Sequence, residues 1–187
     1  GSETSGSILS PSSANSLVGL KPTTGALSRT GVVPISGSLD TTGPMARSVA
    51  DVIVLFNGMT GYDQRDTAMP MMSDDLQLEY RDQSMAGLRL GAPERYLDNE
   101  LFLKALRLLS ADEAAIVEIS LPEIDTQGFG TLLGREMVRD LALYLKDHAS
   151  PMVMIDSVDD LHGFNLQRPD LRMPYGQAEV DRMIELD

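Results

Sequence analysis

The sequence predicts an α/β protein, and two features of its apolar patterning carry that prediction. Leu88, Leu90 and Ala92 alternate as a short strand closed by Gly91 and Pro93, and Ile116, Val117 and Ile119 form a second apolar run that Pro122 ends. Between them Leu101, Ala105 and Leu108, beside Phe102, Leu106 and Leu109, recur at helical spacing. Strand, helix and strand within about thirty residues make a parallel pair joined by a right-handed crossover. The second feature is a long helix expected from about Thr131 to His148. Leu133, Met137, Leu141, Tyr144 and Leu145 stripe one of its faces, with Arg135, Arg139 and Lys146 opposite.

The remaining elements follow in chain order. Residues 1–16 hold seven serines with Gly1 and Gly6, a composition that by itself reads as a flexible linker. After the apolar residues 17–20 and the turn at Lys21-Pro22-Thr23, a stretch punctuated by glycine and proline runs to about Arg47. Ser48 and Asp51 stand three apart ahead of Val52, Ile53, Val54, Leu55 and Phe56. That pattern is a capping-box start, and a helix so apolar should be buried, with Gly58 and Gly61 ending it. Residues 62–86 read as an exposed excursion. Ser157 and Asp160 offer another capping box for a short helix near Leu161, and a last helix is expected to open after Pro174 and still to run at Asp187.

Charge and composition exclude several classes of function. The 187 residues carry 28 acidic against 15 basic side chains, a formal net charge of −13. Such a surface disfavours nucleic acid, whose phosphates need Lys and Arg, and an anionic membrane. No run approaches the roughly 18 apolar residues that a membrane span requires. With no cysteine and only His148 and His162, disulfides, thiol nucleophiles and thiolate metal sites are excluded and a histidine-rich metal site is not expected. The compartment stays open, the cytoplasm being the default. Asp40 and Arg47 are read as anchors of the loop region, His148 as a partner of its helix's negative end, and His162 as a surface or packing residue. The methionines are read as core fillers, and Asp159-Asp160 as helix capping.

The stretch that carries chemistry is Gly1-Ser2-Glu3-Thr4-Ser5-Gly6-Ser7-Ile8, followed by Pro11 and by Val18-Gly19-Leu20-Lys21-Pro22-Thr23. Small, glycine-bracketed residues can aim successive backbone N–H groups at one point. Acyl transfer needs such a point, because its tetrahedral intermediate carries negative charge on the former carbonyl oxygen, and each aimed donor contributes about 3–4 kcal/mol. A serine closing the same loop sets its hydroxyl beside those donors, and it becomes a strong nucleophile once a base takes its proton.

Residues 1–23 resemble the core of the amidase signature, whose usual form is Gly-Ser/Thr-Asp/Glu-x-x-Gly-Ser-Ile, a proline, and then Gly-Leu-Lys-Pro-Thr. The likeness continues through Gly25, Ser28-Arg29-Thr30-Gly31, Pro34, Ser36, Ser38, Asp40, Gly43-Pro44-Met45-Ala46-Arg47, Ala50-Asp51, Gly61-Tyr62-Asp63 and Asp66. Pro174-Tyr175-Gly176-Gln177 and the helical region before it are similar to the peptide-amidase branch. The resemblance implies part of an open mixed-sheet α/β fold flanked by helices. One partial domain would span residues 1–187, with the signature core and its loops in 1–66 and the strand–helix–strand unit and peripheral helices in 88–187.

The activity implied is hydrolysis of a carboxamide through an acyl-serine, by a serine nucleophile, a second serine in a cis peptide and a lysine, with no metal or cofactor. Ser7 falls at the nucleophile. The backbone N–H groups of Thr4, Ser5, Gly6 and Ser7 fall at the oxyanion loop, and Ser2 and Glu3 at supporting hydroxyl and acidic positions. Ser5 stands where many members have glycine, at a cost of order 1 kcal/mol if that position needs positive φ. Leu9 stands where many have arginine, so no anionic substrate is inferred. The family's lysine and cis-serine segment are expected upstream of residue 1. The chain is therefore read as truncated at both ends, inactive alone, and paired as a homodimer over its unpaired sheet edges. The implied partner is a small-molecule amide, with no nucleic acid and no membrane. A catalytically dead binding module of the same fold and a dimerising fragment without function are the alternatives.

Overall fold

The computed structural model describes residues 1–69 and 76–186 and has the mixed α/β character expected. The chain divides into two compact units, Gly1–Tyr80 with Gln127–Asp187, and Arg81–Thr126.

In the first unit, β1 (Ser2–Glu3) leads into α1 (Leu9–Ala14), so the serine-rich segment is an ordered strand–loop–helix and not a linker. Two short antiparallel pairs frame it. β1 pairs with β3 (Thr41–Thr42), and β2 (Val18–Gly19) pairs with β4 (Met45–Ala46). Gly43 links the two pairs, exchanging hydrogen bonds with Gly1 at 2.9 Å in both directions. A Cβ added there would stand 2.1 Å from the carbonyl oxygen of Leu20, so only glycine fits. Ile8 and Leu27 are almost wholly buried in this region.

The capping box is present in α2 (Val49–Met59). Ser48 Oγ accepts from the Asp51 N–H at 3.2 Å and donates to Asp51 Oδ2 at 2.8 Å. The helix is only half buried, which corrects the expectation drawn from its apolar run. Val52 and Phe56, at i and i+4, face inward toward β2 and β4, while Val54 is 70% exposed on the far side. Gly58 lies within the last turn and does not end the helix, which runs on to Met59 and is capped by Thr60. Of the excursion from 62 to 86, residues 76–84 are exposed as expected, but Asp66 and Met69 are buried, and residues 70–75 lie outside the described ones.

The long helix α4 runs from Phe129 to His148. Its stripe meets α5 (Val158–Leu166) and α7 (Ala178–Glu185) in a cluster built on Leu141, Val158 and Met183, with Met137, Tyr144, Leu145, Leu161, Val180 and Ile184 packed around it. Burying a side chain such as Leu141 contributes about 1.5–3 kcal/mol. Ser157 caps α5 with Asp160 as the sequence indicated. The last helix is shorter than expected. A four-residue helix α6 (Pro169–Arg172) precedes it, Gly176 turns the chain back on Met173, and α7 closes at Glu185. The methionines are not uniformly core fillers either, since Met152 and Met154 are 88% and 87% exposed.

The second unit is the parallel strand–helix–strand predicted. β5 (Arg89–Pro93) and β6 (Ala115–Ile119) pair in parallel from Arg89↔Ala115 to Pro93↔Ile119, and α3 (Glu100–Ala111) connects them. Asn99 starts α3 by accepting from the N–H groups of Leu101 and Phe102. Only half of the apolar pattern on α3 turns inward. Phe102, Leu103, Leu106 and Leu109 are half-buried, whereas Leu101 and Leu108 are exposed, because a helix on two strands covers one face alone.

Replacing Gly43 with alanine is expected to lower stability by about 1–3 kcal/mol through overpacking against Leu20. Urea denaturation reads this as a lower midpoint at unchanged slope, and an unchanged midpoint would show that the Leu20 carbonyl yields.

Candidate active site

Ser7 lies in the turn between β1 and α1 and is exposed to solvent. Three features shape this turn. Gly6 has φ +132°, a backbone that side-chain-bearing residues rarely adopt, although an added Cβ would meet nothing within 4 Å. The glycine is thus needed for conformation and not for space. Ser5 has no positive φ, so the cost considered for a serine at that position does not arise.

The buried carboxylate of Glu3 is the second feature. Its Oε2 accepts from the N–H groups of Ile8 at 2.8 Å and Leu9 at 3.0 Å, satisfying donors that the start of α1 would otherwise leave open. Glu3 thereby fixes the direction in which α1 leaves the turn. Ser2 contributes through strand pairing with Thr42.

The third feature is a bond from outside the segment. Thr4 Oγ1 donates to Asp40 Oδ1 at 2.5 Å, while Asp40 Oδ2 accepts from the N–H groups of Ile35 at 2.9 Å and Ser36 at 3.0 Å. Asp40 is thus the loop anchor expected of it. Arg47 is not one, since its side chain is exposed and donates no hydrogen bond among the described residues. With β1 paired, Glu3 capping and Thr4 tethered, the N–H groups of Thr4, Ser5, Gly6 and Ser7 donate to no acceptor among the described residues. Four unfilled donors ahead of a serine hydroxyl are an arrangement that can receive a carbonyl oxygen.

A polar network behind the turn escaped the sequence reading. Glu136, in the middle of α4 and 7% exposed, accepts from Ser36 Oγ, Ser38 Oγ and the Ser38 N–H, and Asp140 Oδ2 accepts from the Gly37 N–H at 2.7 Å. Burial pushes the Glu136 carboxyl up, but these donors and the Arg139 charge outweigh it and hold it below the ordinary glutamate range. Arg29 grips Asp66 with two side-chain bonds and its own N–H, and reaches Gly37 O at 2.6 Å. Burial likewise raises Asp66, and Arg29 together with the Ala68 N–H more than compensates, so Asp66 titrates below the usual aspartate range. The sequence signal was present but faint: Glu136 and Asp140 stand four apart beside an apolar stripe, and their partners in the loop lie about a hundred residues away.

Neither histidine joins Ser7. His162 Nε2 meets Asp181 Oδ1 at 3.1 Å, and the His148 ring lies 5.1 Å from that of Tyr144 at the end of α4. Lys21 Nζ donates to Pro22 O. Two hollows, of about 410 and 910 Å³, are lined by residues such as Arg29, Asp140 and Tyr144 and by residues such as Leu145, Pro151 and Met154, and Ser7 lines neither. Among the described residues no three His, Asp or Glu side chains are grouped to hold a metal ion, and no helix is long and apolar enough to cross a membrane.

This mixed α/β arrangement of small sheets and flanking helices is part of the fold of the amidase-signature enzymes. It superposes on the native peptide amidase from Stenotrophomonas maltophilia with a TM-score of 0.82 at 33% identity, over 100% of this chain and 40% of that one. An amidase family protein from Bacillus anthracis gives a TM-score of 0.85 at 30% identity, over 99% and 38%. In sequence the chain is 38% identical over 141 residues to a Glutamyl-tRNA(Gln) amidotransferase subunit of Paraburkholderia xenovorans, covering 67% of this chain and 28% of that protein. The chain belongs to the amidase family, whose model matches residues 1–171. It spans well under half the length of these relatives.

Because Glu136 and Asp66 are depressed, the stability they contribute is complete above the unfolded values of about 4 and is lost as pH falls through the folded ones. The thermal midpoint should be flat above about pH 5 and fall in acid. Asp66→Asn should lower the midpoint at pH 7, with the gap to wild type narrowing by pH 3; a constant gap would contradict the assignment.

Proposed function

We propose that the chain is the nucleophile-bearing segment of an enzyme that hydrolyses a carboxamide to an acid and ammonia or an amine, with Ser7 as the attacking group. The observation that carries this reading is the turn before α1, where four unbonded N–H groups precede an exposed serine hydroxyl. Ser7 Oγ adds to the carbonyl carbon, and the electron pair of the C=O bond moves onto oxygen, where the Thr4–Ser7 N–H groups receive it. Collapse breaks the C–N bond, the nitrogen leaves with a proton, and the acyl group stays on Ser7 as an ester. Water then adds to that ester, releasing the acid and returning the proton to Ser7.

The proton on Ser7 needs a base. The amidase-signature resemblance implies a lysine and a cis serine for this task, while Lys21 and both histidines are engaged elsewhere. In the full-length protein Ser7→Ala should lower kcat on simple amides by at least about 10³-fold, in line with loss of a nucleophile. Residues 1–187 alone should hydrolyse those amides little or not at all. Undiminished hydrolysis by Ser7→Ala would overturn the reading; retained binding of an amide without turnover by the full-length protein would favour a binding module.

We also infer self-association. Among the described residues each of the three sheets has two strands, so every strand is paired with another strand on one side only. Light scattering at micromolar concentration should return a dimer mass, and a monomer mass would refute it.

A further inference from the structure

The carboxylate of Glu136 is buried in the middle of α4, and while Arg139 lies 3.7 Å from it on the same helix, the hydrogen bonds it accepts come from the loop that reaches the Thr4–Ser7 turn. Ser36 and Ser38 donate to it through both hydroxyls and one N–H, and Gly37 donates to Asp140 one helical turn further along. Three consecutive residues are thereby stapled to one helix. The same loop folds tightly on itself, because the N–H groups of Leu39 and Asp40 both donate to Ser36 O, at 3.1 and 2.8 Å. The Asp40 carboxylate closes the other side by accepting from Ile35 and Ser36. Its free oxygen, Oδ1, takes the hydroxyl of Thr4.

An unbroken path of hydrogen bonds therefore runs from Glu136 through Ser36 and Asp40 to Thr4. A buried acid is a costly way to fasten a loop to a helix, and apolar packing could do the same with less desolvation. What the acid adds is a single arrangement, since losing any donor leaves a charge unsatisfied.

We infer that Glu136 is a positioning residue for the Thr4–Ser7 loop, holding its N–H groups in register through the Ser36–Ser38 loop and Asp40. The inference rests on the reading of Ser7 as nucleophile, and it assigns to α4 a part in a site that lies about 130 residues earlier in the chain. Small displacements of aligned groups cost up to about 10²-fold in rate. Glu136→Ala should accordingly lower kcat of the full-length protein about 10-fold or more with KM changed less than about twofold.

A double-mutant cycle separates positioning from simple fastening. In a Thr4→Val background, Glu136→Ala should lower kcat no further, while its loss of thermal midpoint should be the same in both backgrounds. Glu136→Gln, which keeps one acceptor oxygen, should restore part of kcat, and it carries the same comparison should Glu136→Ala fail to fold. In residues 1–187, the backbone amide NMR signals of Thr4 to Ser7 should shift in Glu136→Gln together with those of Ser36 and Ser38. Loss of stability with unchanged kcat, or shifts at Ser36 and Ser38 that stop short of Thr4, would overturn the inference. Activity that survives Ser7→Ala would instead sink the nucleophile assignment, and the amide signals would still decide whether Glu136 reaches the loop.

Discussion

The signature segment depends on one carboxylate. Asp40 ties two pieces of chain together: its own tight loop through the N–H groups of Ile35 and Ser36, and the turn before α1 through the hydroxyl of Thr4. Residues 1–8 contain one apolar side chain, Ile8, which enters the core. A segment so poor in hydrophobic burial holds one conformation through directional bonds, and Asp40 supplies the bond that strand pairing and the Glu3 cap do not. The turn is therefore tethered on the side of Thr4 and exposed on the side of Ser7.

The rest of the first unit shows the same division of labour. Around residues 28–40 and 63–66 the fold is held by charge and hydrogen bonds, with Arg29 bridging Asp66 and the Gly37 carbonyl. Around α4, α5 and α7 it is held by apolar packing on Leu141, Val158 and Met183. Helix α4 belongs to both regimes, one face in the hydrophobic cluster and Glu136 and Asp140 reaching the polar loop. That dual use explains how a helix far along the chain bears on the signature turn.

Apolar surface left open is the counterpart of this economy. Val54 on α2, Leu101 and Leu108 on α3, and Met152 and Met154 after α4 are all largely exposed. Those on the helices lie on the far side of an element whose near side is packed. A helix over two strands, or beside two short ladders, can cover only one stripe, and the sequence patterns on α2 and α3 are wider than one stripe.

Period and capping chemistry made the secondary structure legible in the sequence. The parallel strand–helix–strand, the Ser48 and Ser157 caps, and the stripe of α4 are all local signals within a few residues of one another, and each reappears in the structure. The motif from Gly1 to Thr23 pointed to Ser7 and its loop through its resemblance to the amidase signature and not through spacing alone. Which faces are buried, where α7 begins, and the ordering of a serine-rich stretch that composition alone reads as a linker were decided by tertiary contacts. So was the contact of Glu136 with Ser36 and Ser38, which stand about a hundred positions earlier. These three side chains carry no periodic signature. A hydrogen bond is set by where two atoms meet in space, and for residues that far apart only the folded chain specifies that.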